Sequence, residues 1–250
     1  MSKQNDINEV KIMKLRELIE TSNNIVFFGG AGVSTESNIP DFRSSKGLYN
    51  SPIKYKYPPE RMLSYSFFIS HTKDFYEYYK NEMIFPNAKP NHAHKALAKL
   101  EKEGKLKAII TQNIDGLHQE AGSDEVLELH GSVHRNNCME CGTSYTLDFV
   151  LDSKDVPTCT CGGIVKPDVV LYEEGLDSQV LDKSVSYIRS ADVLIVGGTS
   201  LTVYPAAGLL HYYSGNKLVL INKSTTEFDK SASLVINDSI GKVLKEAILN

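Results

Sequence analysis

The 250-residue chain contains no run of ~18 consecutive apolar residues, so nothing in it reads as a membrane helix. Its opening residues, Met1-Ser2-Lys3-Gln4-Asn5-Asp6, are polar and lack the apolar core of a secretory signal. There is no large excess of one charge: 27 basic and 31 acidic residues are interspersed, for a net charge of −4. No dense basic stripe is present, which argues against direct contact with nucleic acid. Arginine is scarce among the basic residues: Arg16, Arg43, Arg61, Arg135 and Arg189 are all there are. Internal repeats and low-complexity segments are missing. So are a metal site with an open coordination position and a Ser–His–acid pattern, which leaves hydrolysis by metal-activated water or by a serine nucleophile with little support. These absences lead us to expect a cytoplasmic protein with no membrane partner; a monomer is the expected state, although no residue pattern sets it. Apolar residues make up 41 % of the chain, enough for a sizeable core, and the length suits one large domain or one domain with insertions.

What is present begins with glycine. Ile25-Val26-Phe27-Phe28 reads as a buried parallel strand, and Gly29-Gly30-Ala31-Gly32 follows it directly. Glycines after such a strand let the backbone approach a phosphate, and a helix starting there would aim its N–H groups at the same anion. Ile39-Pro40-Asp41-Phe42-Arg43 then sets an acid, an aromatic and a guanidinium side by side. Further strand candidates are 108–110, 126–129, 193–196, 217–221 and 234–236. Helical periodicity is read over 8–21, 91–103, 177–189, 205–213 and 238–249. The alternation implies an α/β fold, a Rossmann-like doubly wound parallel sheet whose ligands bind beyond the carboxyl ends of its strands. Gly29, Thr111, His130 and Gly197 all fall just after such strands and should converge on one crevice.

Two stretches break the alternation. Residues 44–88 hold many aromatics and the Pro58-Pro59 pair, and read as a helical insertion. Residues 133–166 hold every cysteine in the chain, spaced Cys138-x2-Cys141-x17-Cys159-x-Cys161. Two close pairs separated by a ribbon-length insert suit a structural zinc ion held by four thiolates, with no position left to activate water. A redox-sensitive thiol cluster and partial zinc occupancy are the other readings. The expected organisation is therefore a nucleotide-binding Rossmann-like domain from 1–43, 89–132 and 167–250, with 44–88 and a zinc ribbon at 133–166 forming a smaller lobe.

Thr111-Gln112-Asn113-Ile114-Asp115-Gly116-Leu117-His118 follows a core strand, where buried amides and an acid need partners. On its own, Asp115 could be no more than a cap for the next helix. A histidine at a strand end is ordinarily a satisfied or solvated imidazole, and we read His71, His92, His94, His118, His134 and His211 in that way. His130, at the mouth of the crevice, has the pKa range of a proton acceptor near neutral pH.

Taken together and in chain order, these segments resemble the sirtuins, NAD-dependent protein lysine deacylases. The likeness spans residues 24 to 240 and rests on the glycine segment, T-Q-N-I-D-x-L-H, the H-G pair at His130-Gly131, Lys166-Pro167-Asp168-Val169-Val170-Leu171-Tyr172-Glu173-Glu174, Gly198-Thr199-Ser200-Leu201 and the cysteine ribbon. The resemblance implies NAD and Zn²⁺ as cofactors and acyl-lysine proteins or peptides as substrates, with nicotinamide and O-acetyl-ADP-ribose among the products. It implies that Gly30, Ala31, Gly32 and Thr35 belong to the cofactor loop. Asp41 and Arg43 would hold the ribose–phosphate region while Phe42 shields the reacting centre. Gln112 and Asn113 would contact the nicotinamide ribose, and Ile114 and Asp115 the carboxamide. His130 would take a proton from a ribose hydroxyl, with Asn113 and Asp115 as further catalytic residues. Gly198, Thr199, Ser200, Asn222 and Ile240 would meet the adenosine half. Val169, Val170, Leu171 and Tyr172 would pair with the substrate peptide as an added strand.

This sequence departs from the family pattern at several positions. The second cysteine pair is C-x-C where C-x2-C is usual, Asn38 and Glu173 stand where glycine is usual, and Tyr172 replaces phenylalanine. Asparagine tolerates left-handed backbone, so the first loop should survive. Members that remove succinyl or malonyl groups carry Tyr-x-x-Arg in the helical insertion; here Tyr76 is followed by Tyr79, with Lys80 one place beyond. A nicotinamide dehydrogenase would need a third glycine at Thr35 and a strand ending in an acid, which 50–58 does not offer. A protein ADP-ribosyltransferase on the same fold is the main alternative, and a non-enzymatic NAD- or zinc-binding module is a further one.

Overall fold

The computed structural model describes residues 2–44, 47–50 and 55–250. Among the described residues nine strands run β1 (Ile25–Gly29), β2 (Leu106–Thr111), β3 (Val126–Glu128), β4 (Gly131–Cys138), β5 (Ser144–Tyr145), β6 (Val165–Val169), β7 (Val193–Gly197), β8 (Leu218–Ile221) and β9 (Leu234–Ile236). Six form one parallel sheet in the order β3-β2-β1-β7-β8-β9. The chain winds outward from β1 to β3, then crosses back to lay β7 on the other side of β1. That reversal opens a crevice at the carboxyl ends of β1 and β7, where Gly29 and Gly197 sit in register.

Strands β1, β7 and β8 are buried along their whole length because both faces are covered. Alternation does the sorting. Phe27, Ile109, Ile195 and Val219 pack beneath the helices Ser2–Glu20, His92–Lys102 and Ile240–Leu244. Phe28, Ile110, Val196 and Leu220 face the other way, toward the helix Ser178–Ser190 and the turn Ala206–Tyr212.

Three helical expectations come out differently. No α-helix follows β1; two short 3₁₀ turns, Ala31–Val33 and Thr35–Ser37, stand there and end at Asn38, whose φ of 64° is left-handed. Turns this short carry little of a helix dipole. Ala206–Tyr212 is a 3₁₀ helix, and the last helix gives way to a π-type turn at Lys245–Leu249.

The strands β5-β4-β6 form a separate antiparallel sheet, and the helices Pro59–Met62, Tyr65–Ser70 and Thr72–Tyr78 pack against it. Their core joins the two insertions: Phe67, Phe68, Phe75, Tyr76 and Tyr79 meet Val133, Val150 and Val169. The expected breaks at 132/133 and 166/167 fall inside β4 and β6. Part of the 50–58 stretch read as non-strand, 51–54, lies outside the described residues.

Candidate functional site

A cavity of ≈ 950 Å³ opens between the parallel sheet and the small lobe, and every candidate cofactor and substrate residue named above lines it. The glycines explain how two of its walls come so close. The main chain of Gly32 donates to the Gly198 carbonyl at 2.7 Å. A Cβ on Gly32 would lie 2.7 Å from the Gly198 Cα, and one on Gly30 would lie 2.8 Å from the Thr199 Cβ. These positions are glycine chiefly because the loops after β1 and β7 lie backbone against backbone. Glu36 adds a third element by accepting from the Gly241 N–H at 2.6 Å, which holds the start of the last helix, with Ile240, at the cavity.

Beyond β2 the polar groups are tied together. Asn113 is buried, and its Nδ2 donates to the Ser34 Oγ at 3.0 Å. Ser34 donates in turn to Asp115 Oδ2 at 2.6 Å, while Asp115 Oδ1 accepts from the Leu117 N–H at 2.9 Å. Asp115 thus caps the following turn and also faces the cavity; the two readings of it are compatible. Gln112 Nε2 donates to Thr199 Oγ1 at 3.1 Å and bridges the loops after β2 and β7. Gly116, at a variable motif position, has φ 73°, and a Cβ there would lie 2.7 Å from the His134 ring. His134 Nε2 lies 3.0 Å from the Asp115 carbonyl. Ser34, Glu36 and His134 are site residues that the sequence reading missed. Ser34 had a visible signal, a small hydroxyl inside the glycine segment; His134 had none.

His130 Nδ1 lies 3.0 Å from the Gln112 carbonyl. A carbonyl only accepts, so Nδ1 carries the proton and Nε2 keeps its lone pair. Burial pushes the imidazole below the ordinary histidine range, and the bond to Gln112 offsets part of this. Near neutral pH the ring is a neutral acceptor at the cavity wall.

Asp41 Oδ1 accepts from the Arg43 and Ser44 N–H groups at 3.1 and 2.7 Å, which fixes a turn that presents Phe42 and Arg43 to the cavity. Across the sheet, Asn222 Oδ1 accepts from the Thr199 N–H at 3.0 Å, while its buried Nδ2 has no partner among the described residues. A buried donor left over at the wall of a polar cavity fits a ligand rich in oxygen acceptors, such as the ribose of NAD.

The four cysteine Sγ atoms lie within 4.8 Å of one another. Cys138–Cys161 and Cys141–Cys161 are 3.5 Å apart and Cys141–Cys159 is 3.6 Å. Four thiolates on one tetrahedral zinc at ~2.3 Å would be roughly 3.8 Å apart, so the donor set fits. The C-x-C pair is accommodated by a tight turn: Gly162 has φ 90°, and a Cβ on Gly163 would lie 2.7 Å from Cys138 Sγ.

The 169–172 segment leaves β6 along the cavity wall. Val170 N–H donates to the His130 carbonyl at 3.0 Å. Tyr172 is bound through both main-chain groups, its N–H to the Leu63 carbonyl and its carbonyl to the Tyr65 N–H, each at 3.0 Å. Glu173, at the position where glycine is usual, adopts φ 78°. Its carboxylate accepts from Ser66 N and Ser66 Oγ at 2.8 and 2.9 Å, which caps a helix and offsets the strained backbone.

Two histidines are neither solvated nor satisfied. His94 and His118 meet edge-on in the interior with ring centroids 4.7 Å apart, and His94 Nε2 and both nitrogens of His118 are buried without partners among the described residues. His94 Nδ1 accepts from the Asn91 N–H at 3.2 Å, and Asn91 Nδ2 braces the first loop through the Val33 carbonyl at 2.8 Å and Ser37 Oγ at 2.9 Å. Burial lowers the His94 pKa to about 4 despite the charges of Asp115 and Glu120; burial, then the neighbouring His94, holds that of His118 well below the ordinary histidine value. Both folded values lie below the unfolded one, so stability is full above about pH 6.5 and is lost as pH falls from there toward 4. For His94 alone the loss at pH 5 is on the order of 2 kcal/mol. Denaturant melts at pH 7.5 and 5 should show this loss, and a His94→Gln protein should show a shallower pH dependence. An unchanged slope in that variant would exclude His94 as the source.

Comparison with known proteins agrees with this geometry. The Sir2 family model matches residues 30–205. An NAD-dependent protein deacetylase of Clostridium acetobutylicum is 64 % identical over 240 residues, covering 95 % of this chain and 98 % of that protein. A protein of the same name from Clostridium tetani is 66 % identical over 232 residues, covering 92 % of this chain and 94 % of its own length. A Sir2 structure with a deacetylated p53 peptide and 3′-O-acetyl-ADP-ribose superposes with a TM-score of 0.86 at 40 % identity, covering 94 % and 96 % of the two chains. A Sir2–p53 peptide–NAD⁺ structure gives 0.81 at 40 %, covering 93 % and 95 %. With the doubly wound sheet, the two apposed glycine loops and the cysteine ribbon all in place, the chain belongs to the Sir2 family.

Proposed function

We propose that this protein is an NAD-dependent protein lysine deacetylase, releasing nicotinamide and O-acetyl-ADP-ribose. The observation that supports it most is His130, a neutral imidazole with its tautomer fixed by Gln112 and its free nitrogen at the wall of a cavity shared by both lobes. When bound, NAD supplies the ribose carbon that accepts the acyl oxygen as nicotinamide leaves. The residues around it position and protect. Gln112 and Asn113 orient the nicotinamide ribose, and Ile114 and Asp115 hold the carboxamide end. His130 accepts the ribose hydroxyl proton at Nε2. Phe42 excludes water, with Asp41 and Arg43 on the ribose–phosphate side. Gly30, Ala31, Gly32, Thr35, Gly198, Thr199, Ser200, Asn222 and Ile240 receive the diphosphate and adenosine. Val169 to Tyr172 line the peptide, and the zinc ion holds the ribbon that β6 belongs to. The sheet forms the NAD-binding domain and the two insertions the small lobe. We place the enzyme in the cytoplasm, acting as a monomer on acyl-lysine proteins, with no nucleic-acid or membrane partner. Among the described residues no helix is long and apolar enough to cross a membrane.

Nicotinamide release from NAD, measured with and without an acetyl-lysine peptide, tests the reading. Release that depends on the peptide supports it. Label from NAD appearing on a protein, without need of acyl-lysine, would support the ADP-ribosyltransferase instead.

The same site sets an acyl preference. Tyr76 and Tyr79 are both fully buried in the aromatic core; Tyr76 donates to the Val165 carbonyl, and Tyr79 stacks on Phe75 with ring centroids 5.4 Å apart. Lys80 donates to the Ser153 and Asp155 carbonyls, so its ammonium is engaged elsewhere. No cation from these three positions meets a distal carboxylate, and burying that charge unpaired is costly. We expect kcat/KM on one peptide to be at least about tenfold lower for succinyl- than for acetyl-lysine, a difference of roughly 1.4 kcal/mol. Equal or faster succinyl removal would show that another cation reaches the tunnel.

A further inference from the structure

We propose that Tyr172 is a positioning residue for the cofactor: through Tyr49 its phenol ties the peptide-binding segment to the loop that carries Phe42 and Arg43. This rests on the proposed function of the cavity and adds a coupling between its two halves.

The contact is direct. Tyr172 Oη lies 2.6 Å from Tyr49 Oη, between residues 123 positions apart in the chain. Each end is anchored. Tyr172 has both main-chain groups bonded, to Leu63 and Tyr65, and the next residue is pinned to Ser66 by its carboxylate, so its backbone has little freedom to move. Tyr49 is the closing residue of the turn begun by Asp41: its N–H donates to the Phe42 carbonyl at 2.9 Å. Its ring meets Phe42 edge-on, with centroids 5.5 Å apart, and the Arg43 guanidinium carbon lies 5.5 Å from the ring centroid. The chain of contacts therefore runs from Tyr172 to Tyr49 and then to Phe42 and Arg43, the residues assigned to the reacting ribose. Tyr49 is partly buried, and desolvation, then the bond to Tyr172, raises its pKa, so the hydroxyl stays protonated throughout the working range. The bond needs both hydroxyls; a phenylalanine at 172 would keep the ring and lose the tie.

The consequence is energetic coupling. Phe42, Arg43 and Tyr49 are held in one arrangement by the segment that meets the peptide, so ordering that segment also orders the cofactor side. A neutral hydroxyl pair contributes roughly a fivefold effect.

The experiment compares Tyr172→Phe, Tyr49→Phe and the double variant with the parent protein. Both NAD affinity by calorimetry, with and without acetyl-lysine peptide, and steady-state KM and kcat for NAD are measured. We expect each single variant to raise the KM for NAD about fivefold, more than it lowers kcat, with thermal midpoints close to that of the parent protein. The double variant should be no worse than either single one, because one bond is lost in all three. The gain in NAD affinity on adding peptide should shrink in each. Additive effects, or NAD affinity and peptide coupling equal to the parent's, would overturn the proposal. If the parent binds NAD without deacetylating, the functional reading fails while the calorimetric cycle still decides the coupling.

Discussion

A His130→Ala protein folds, binds NAD and loses peptide-dependent deacetylation. The expected loss in kcat is on the order of 10²–10⁴, the usual contribution of a positioned general base. The geometry gives the reason. The Gln112 carbonyl engages Nδ1 at 3.0 Å, so the ring presents its unprotonated Nε2 and no other group in that tautomer can accept a proton. Burial keeps the imidazole neutral by lowering its pKa. That sign has its own consequence: the acid limb of kcat/KM, which reports the free enzyme, should fall below about pH 6.5, the value of an unperturbed histidine. The polar network of Ser34, Asn113 and Asp115 does not pass through the ring, so alanine should leave the melting temperature close to the parent's. Full turnover by a folded His130→Ala protein would falsify the role. Loss of NAD binding along with turnover would move His130 from proton acceptor to binding residue.

Much of this was readable in the residues because the strands are buried on both faces. Ile25 to Phe28 and Val193 to Val196 are unbroken apolar runs, and such runs lie in the interior of a covered parallel sheet. Asn38 was also legible: it replaces a glycine in a loop that needs left-handed backbone, and it takes φ 64°. Glu173 poses the same problem, but its solution lies outside its own segment, in the cap it forms on Ser66, 107 positions earlier. The same holds for the rest of what was missed. Ser34 reaches Asp115 across 81 positions and Tyr49 reaches Tyr172 across 123; no periodicity or spacing encodes either bond. The expected helix after β1 failed for a local reason, since left-handed Asn38 and Pro40 stop the chain after two 3₁₀ turns. The buried pair His94 and His118 was misread because isolated histidines carry no signal of their surroundings. Their unpartnered nitrogens appear only once the helix His92–Lys102 is packed over the sheet.

Removing the zinc should have the largest effect on stability. The purified protein is expected to carry one Zn²⁺ per chain on Cys138, Cys141, Cys159 and Cys161, and chelation should unfold the ribbon. The apolar support at the cysteine end of that ribbon is slight, because Val133 and Val150 are held in the aromatic core of the small lobe and not beside the thiols. Cys138, Cys159 and Val165 form its buried cluster, with Tyr145 and Phe149 packed alongside, and Cys141 and Cys161 are exposed. A cluster this small cannot offset the entropy of ordering the turns around the four thiols at about 1–2 kcal/mol per residue. Metal binding to such sites contributes on the order of 10 kcal/mol at pH 7. The effect should extend to activity. Cys138 pairs with Val165 at one end of the β4–β6 ladder, and Gly131 pairs with Val169 at the other, beside His130 and the peptide segment. Loss of the ribbon therefore loosens 169–172, while the glycine loops after β1 and β7 are held by the parallel sheet and keep their contacts. We expect chelator-treated protein, or a Cys141→Ser/Cys161→Ser double variant, to lose deacetylation and to show an early unfolding step, with NAD binding affected less. Elemental analysis finding no metal, together with four thiols freely titratable in the native state, would remove the zinc site and show the ribbon to be self-supporting.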